Sequence, residues 1–548
     1  MRSEPRYWKI IILVWAVMAG LVAAGPARAG IWQFSVKTGV QHGRAYLWIP
    51  SHCKHVRGII LGQQVILEKP FMEDKNIRAA ARAENLAEVI ISPWIVNYLN
   101  KPNYKAQVAG LYRVLAKLAK KSGYGEIAHA PFIIVGHSGG GILPWRMAYY
   151  DRHQVIAIVT LHSAPALPTF WNRNATANGV PTLAVSGQYE SWNSPVHSLQ
   201  WHVSWVRGLL LYFRGYWSRA MVSEIVEPGA GHFSLTPTLT RYIGEFIRQA
   251  TKERLPARIG KNGRPVLRHI PLKTGWLGDV QLLRPAIFPP APYAQYKGEP
   301  QLAFWFLDKK LAIDGENFEA RRRSKRDQRI TFVQNGKPVK PGWLEPLKFQ
   351  PTGNGMIFKV HAAFLKAKPV GGSDPGKPLG HGPGPSRFRL IGGWNGGGRQ
   401  VGPNEFEIHF SNFGIHSWRA RSMMIMAYVR GNKKWAYAEQ AGGITFPNFL
   451  VHGAKQHLDF PKINNVVAGT KTLPLKAVAS SGLPVSYYIT SGPARVRGGQ
   501  IIFTRIPPRA KFPVAVRITA YQWGRPLPPL VASARPITQT FYILRHAQ

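Results

Sequence analysis

The run Phe132-Ile133-Ile134-Val135 leads without interruption into Gly136-His137-Ser138-Gly139-Gly140-Gly141. An unbroken apolar run of this kind reads as a strand buried on both faces, and a helix-compatible stretch follows the glycines. Glycines two before and two after the serine supply the room that a tight strand-to-helix turn demands. A serine on such a turn has a strained backbone, and its hydroxyl is lifted above the sheet. The N–H of Gly139 then stands at the start of the following helix, facing any negative charge that develops beside the serine. Gly-x-Ser-x-Gly alone arises by chance in a chain with 54 glycines. The strand before it and the helix after it make the pattern specific.

The flanking sequence supplies the rest of a sheet. Tyr46 to Pro50, Gly58 to Leu61, Ala87 to Ser92, Val155 to Leu161, Thr182 to Val185 and Ser223 to Val226 read as further strands. Asn76 to Asn85 and Tyr104 to Lys121 read as helices, the second with an apolar stripe of Val108, Leu111, Val114, Leu115 and Leu118. This alternation predicts a mostly parallel sheet covered on both faces.

A serine is a weak nucleophile unless a base takes its proton. His232 stands in Glu227-Pro228-Gly229-Ala230-Gly231-His232-Phe233, a glycine-rich loop directly after a strand. His137 lies inside the turn, His162 ends an earlier strand, and His197 and His202 fall in an intervening helical stretch. His232 is the best placed of these. Between Ser138 and His232 the carboxylates are Asp151, Glu190, Glu224 and Glu227. Asp151 closes the helix that starts at the turn, far below the serine. Glu224 is inside the last strand, and Glu227 is too near His232 along the chain. Glu190 follows the strand Thr182 to Val185 at its C-terminal end, where open α/β sheets carry functional groups. It is expected to orient His232.

The Gly136-x-Ser138-x-Gly140 turn and the terminal Gly229-x-Gly231-His232 resemble the α/β-hydrolase superfamily, within it the esterase-like members. The resemblance covers residues from about 30 to 258, under half the chain. It implies an eight-stranded sheet, a Ser138–His232–Glu190 triad, acyl-enzyme chemistry and no metal or cofactor. Gly58-Ile59-Ile60-Leu61-Gly62-Gln63-Gln64 resembles the family's His-Gly-x turn, with Leu61 in place of the histidine. It makes Gln63, or alternatively Gln64, the second oxyanion donor beside Gly139. The Gly-Cys-Ser-x-x-Gly form of glucuronoyl esterases is absent, so that activity is not carried over. Trp201, Trp205, Leu209 and Tyr212, in an aromatic-rich insertion that also holds Trp192, are spaced for one helix face. They read as packing against the sheet or as a lid.

With 548 residues the chain is too long for one core. Beyond about residue 270 helical patterns become scarce. Residues 270–452 read as a β-rich domain, with runs such as Ile330 to Val333 and Phe406 to Phe410 and a Pro/Gly-rich loop from Pro369 to Pro385. Residues 457–548 carry apolar runs about ten residues apart: Leu473 to Ala479, Val485 to Thr490, Gln500 to Thr504 and Val514 to Ala520. This segment resembles bacterial Ig-like modules. The expected architecture is an α/β-hydrolase domain, 30–258, followed by two β-rich domains, the last an Ig-like sandwich. Every triad candidate precedes residue 258. Small-ester hydrolysis is therefore expected to survive removal of the rest, unless the middle domain packs on the hydrolase.

Arg2, Arg6 and Lys9, an apolar run from Ile10 to about Ala24 and Ala27-Arg28-Ala29 form a secretory signal pattern over residues 1–29. A periplasmic or extracellular protein is expected. Cys53 is the single cysteine, which excludes an internal disulfide; it reads as a small buried residue. Lysine and arginine number 71 against 26 aspartates and glutamates, a net charge of +45. The basic residues run along the whole chain, which argues against nucleic acid and leaves anionic polymer or membrane surface as a contact. The dense run Arg321 to Arg326 reads as a solvated helix end. The function expected is hydrolysis of carboxylic esters, on a substrate that is polymeric, polysaccharide-linked or surface-bound. The alternatives are a peptidase or amidase on the same triad and a non-enzymatic surface-binding protein on a hydrolase scaffold.

Overall fold

The computed structural model describes residues 31–96, 103–167, 175–190, 199–256, 265–368, 375–392, 397–411 and 422–545. The secretory signal pattern, the 258 boundary, Trp192 and His197 lie outside the described residues.

Eight strands form the first sheet: β1 (Phe34–Lys37), β2 (Arg44–Trp48), β3 (Gly58–Gln63), β4 (Leu86–Ser92), β5 (Phe132–His137), β6 (Val155–Leu161), β7 (Thr182–Tyr189) and β8 (Val222–Gly231). Their order is β1-β2-β4-β3-β5-β6-β7-β8. β2 is antiparallel to β1 and β4, and every later pairing is parallel. β3, β5, β6 and β7 are buried along their whole length, as both covered faces require. The helix Tyr104–Ser122 buries the expected stripe, Val108 through Leu118, and ends at Gly123 in the left-handed conformation.

The middle region is β-rich with one long helix, Lys309–Ala320. One of its two four-stranded sheets orders Glu345–Lys348, Ala438–Thr445, Ser422–Val429 and Arg387–Gly392 side by side. The last region has a four-stranded sheet built around Val514–Tyr521 and Ile537–Leu544, and a three-stranded one built around Gln500–Phe503. Phe503 and Phe541 link the two, with ring centroids 6.1 Å apart.

Neither region is a loose appendage. Val514, Val516, Ile518 and Phe541 belong to the same continuous core as the eight-stranded sheet. Gly492 N–H donates to the Trp32 carbonyl at 2.8 Å, and Lys511 N–H to the Ser122 carbonyl at 2.9 Å. The helix Lys309–Ala320 lies along β8, where Glu319 Oε1 accepts the Val226 N–H at 2.8 Å.

The arginine run departs from the sequence expectation of a solvated end. Arg322 is buried and pairs with Asp327 at 2.5 Å. Arg323 pairs with Glu316 at 2.6 Å and donates to the Gln281 carbonyl. The acids that hold these side chains come from the preceding helix and the following turn, so two of the five charges of the run are paired within the fold.

Candidate active site

β5 delivers Ser138 at its C-terminal end, with φ of 52°. A non-glycine residue in the left-handed region is strained, and the surrounding packing must hold it there. Gly136 is required because a Cβ would run into the Gly140 carbonyl; at Gly140 a Cβ would meet Val65 at 2.7 Å and the Glu68 carboxylate at 2.9 Å. Ser138–Gly141 forms a 3-10 turn that runs into the helix Ile142–Asp151. Gly139 N–H lies in that first turn, among the donors that have no partner within a helix.

His232 reaches Ser138 from the loop after β8. Its Nε2 lies 2.9 Å from Ser138 Oγ, and its Nδ1 donates to Glu190 Oε2 at 2.7 Å. Glu190, at the end of β7, also accepts the Gly187 N–H at 2.5 Å. Burial alone would raise its carboxyl, but the charge of His162 and hydrogen bonds from His162 and His232 hold it well below the usual carboxylate range. The structure thus brings Ser138, His232 and Glu190 into one hydrogen-bonded chain.

The other carboxylates go elsewhere. Asp151 ends its helix remote from the serine. Glu224 pairs with Arg207 at 2.8 Å. Glu227 is buried and accepts the Thr236 hydroxyl; burial and the nearby Glu439 raise its carboxyl.

Gln63 ends β3. Its side-chain amide is held by the 95–96 loop: Oε1 accepts the Ile95 and Val96 N–H groups, and Nε2 donates to the Val96 carbonyl. The Gln64 N–H is taken by the Ile91 carbonyl at 2.8 Å, and those of Val65 and Ile66 by Glu68 Oε2. Gln64 is therefore closed as a donor, and Gln63 stands in the sheet opposite Ile91 of β4.

Three residues near the serine carry no role in the sequence reading. Glu68 is buried under the turn and accepts the His137 N–H at 2.8 Å; burial pushes its carboxyl up to about 7 against four backbone donors. His162 touches Glu190 from the end of β6, and that strand end was the signal available for it. Trp343, from the middle region, lays its indole against His232 with ring centroids 4.8 Å apart. Beside it, Tyr189, Phe233, Met426 and Gln440 line a pocket that opens on His232. Arg329 caps the Tyr189 ring, and the Tyr189 hydroxyl donates to Asp327 at 2.8 Å, which pins the middle region to the end of β7.

The aromatic helix, Leu199–Tyr216, turns out differently from its predicted stripe. Val206, Leu210, Phe213 and Trp217 are buried, the last two against Trp145, whereas Trp205, Tyr212 and Tyr216 are exposed. The apolar positions one residue along face the sheet. Nothing in the described residues makes the exposed ring face a lid over Ser138.

The sheet order, the single antiparallel strand inside it and the strained serine after β5 define an α/β-hydrolase fold for the first part of the chain. No protein-family model matches the chain, and no curated protein does. Among solved structures it is similar to a carboxylesterase from Bacillus cereus at 14% identity, over 38% of this chain and 93% of that one, with a TM-score of 0.25. Est1E from Butyrivibrio proteoclasticus matches at 12% identity, over 38% and 95%, with a TM-score of 0.27. A fluorophosphonate-binding serine hydrolase from Staphylococcus aureus matches at 13%, over 38% and 92%, with a TM-score of 0.25. At such identities and scores these likenesses add nothing to what the sheet order says.

Proposed function

We propose that this chain is an exported serine hydrolase that cleaves carboxylic esters through an acyl-enzyme. The observation that carries the reading is the unbroken chain from Ser138 Oγ through His232 to Glu190, at 2.9 Å and 2.7 Å. Ser138 attacks the ester carbonyl carbon while His232 Nε2 takes its proton. Gly139 and Gln63 N–H groups hold the oxyanion, each such donor being worth about 10²–10³ in rate. The C–O bond to the alcohol then breaks, and His232 returns the proton to the leaving oxygen. Water attacks the acyl-serine, again giving its proton to His232, and the acid departs as Ser138 is restored. Glu190 fixes the His232 tautomer and stabilises the imidazolium that forms twice in the cycle.

The pocket wall from the middle region supports a substrate larger than a simple alkyl ester, with a ring-bearing group against Trp343. An ester on a polymer or cell surface fits an exported enzyme of +45 charge. An intact relay supports an enzyme over a binding scaffold. Labelling with a fluorophosphonate, followed by a panel of p-nitrophenyl acyl esters and acetylated glycans, tests the reading. Labelling that persists in Ser138→Ala, or no turnover on any ester, would overturn it.

A further inference from the structure

His162 stands outside the proposed relay, yet it makes the shorter of the two histidine contacts to Glu190. Its Nδ1 lies 2.5 Å from Glu190 Oε1, while His232 takes Oε2. One buried carboxylate is therefore shared by two imidazoles. The second ring nitrogen of His162, Nε2, lies 2.9 Å from the Ser234 carbonyl. A carbonyl oxygen accepts and never donates, so Nε2 carries a hydrogen. The remaining question is the proton between Nδ1 and Oε1. Glu190 also receives the Gly187 N–H and the His232 Nδ1–H. A carboxylate surrounded by N–H donors keeps its charge, so that proton belongs to His162. Backbone geometry holds the ring in place. His162 has a left-handed φ of 51°, and its N–H donates to the Val185 carbonyl at 2.7 Å.

We infer that His162 is a positioning residue, held as an imidazolium, that clamps Glu190 and by its charge extends the reactivity of Ser138 to lower pH. This rests on the proposed hydrolase reading. The groups around the pair agree with it. From β5, His137 is buried and its Nε2 lies 2.9 Å from the His232 carbonyl. Burial, then the charges of His232 and His162, hold its protonation far down. From β8, Glu227 attracts the His162 charge. From the middle region, Trp343 covers His232, and Glu439 is neutralised by Arg389 at 2.7 Å. Burial alone would strip His162 of its proton; the Glu190 charge and hydrogen bond outweigh it and raise the ring above the ordinary histidine value.

The two rings stand 6.1 Å apart, centroid to centroid. Removing a positive charge at that range should move the acid limb of the reaction up by about one to two pH units. The experiment is the pH dependence of the second-order rate of fluorophosphonate labelling, which needs no knowledge of the natural substrate. His162→Asn keeps a neutral donor near Glu190 and removes the charge. A raised acid-limb midpoint in this variant supports the inference. An unchanged or lowered midpoint, including a rate reduced by the same factor at every pH, overturns it. If the variant does not fold, ¹⁵N NMR of histidine-labelled wild type decides: both His162 ring nitrogens protonated through the neutral range supports the inference, and a neutral ring overturns it. Absence of Ser138 labelling in wild type would instead sink the hydrolase reading, and the NMR result would still report the His162 charge.

Discussion

Trp343 and His232 come from different parts of the chain, yet their rings stand 4.8 Å apart at a tilt of 46°. The indole remains 54% exposed there, so one face touches the imidazole and the rest is open to whatever enters the pocket. A half-exposed tryptophan beside the proposed base is placed to stack on a substrate ring, a contact worth about 0.5–1.5 kcal/mol. Trp343→Ala is expected to raise KM about two- to tenfold for esters bearing a ring, with kcat and KM for short alkyl esters far less affected. Equal losses for both substrate types would mean that Trp343 supports His232 rather than substrate.

Glu190→Gln should lower kcat by about three to four orders of magnitude, since an amide cannot stabilise the His232 imidazolium and invites the wrong tautomer. Glu227→Gln should cost far less, because Glu227 reaches Thr236 and not His232. Steady-state kinetics on one p-nitrophenyl ester compares the two. A larger loss in Glu227→Gln would reassign the acid.

The relay was legible because each member is carried by a local pattern: a strand into glycines for Ser138, a glycine loop for His232, a strand end for Glu190. His162 satisfied the same strand-end rule, but a residue that touches the relay through its acid leaves no spacing signal of its own. Trp343 was illegible for a different reason. It sits in Pro341-Gly342-Trp343, an unremarkable turn, and meets His232 only through the packing of one region on another. The middle strands Ser422–Val429 and Ala438–Thr445 were missed because methionine, alanine and glycine carry little strand signal, although cross-strand pairing buries them. In the aromatic helix, the spacing of Trp205 and Tyr212 on one face reads as packing or a lid, while the buried face is made by smaller Val206 and Leu210.

Stability should rise on mild acidification. Burial pushes the carboxyls of Glu68 and Glu88 up to about 7 and those of Glu319 and Glu345 up to about 8, from an ordinary 4.5. In the window between, the folded chain holds protons that the unfolded chain has released. Their contribution is complete below 4.5 and is lost as pH rises through 7 and 8. Glu190 acts oppositely: its lowered carboxyl favours folding above 4.5 and loses that effect as pH falls further. The thermal midpoint, measured at moderate salt to screen the net positive charge, is expected to be higher near pH ~5 than near pH ~8. Glu345→Gln should flatten that slope; a midpoint that climbs steadily toward alkaline pH would contradict the assignment.

A chain ended at Pro256 should fail to give a soluble, active hydrolase, although it retains Ser138, Glu190 and His232. β8 is the last strand of its sheet, and its free edge is finished by the middle region. Glu319 accepts the Val226 N–H, and a Cβ at Gly229 would collide with the Tyr437 carbonyl. Arg214 donates to the carbonyls of Ala303 and Pro300, and the Tyr242 hydroxyl to that of Leu311. Removing these partners takes Glu319 and the Val280 carbonyl away from Arg207, the residue that pairs with buried Glu224. It also bares the apolar surface under Phe304, Trp305 and Phe306 and an unpaired strand edge, a combination that promotes aggregation. The measurement is the soluble yield and fluorophosphonate labelling of the shortened chain beside the full one. A soluble product that labels at the full-length rate would show that the hydrolase domain stands alone and that the downstream regions serve attachment instead.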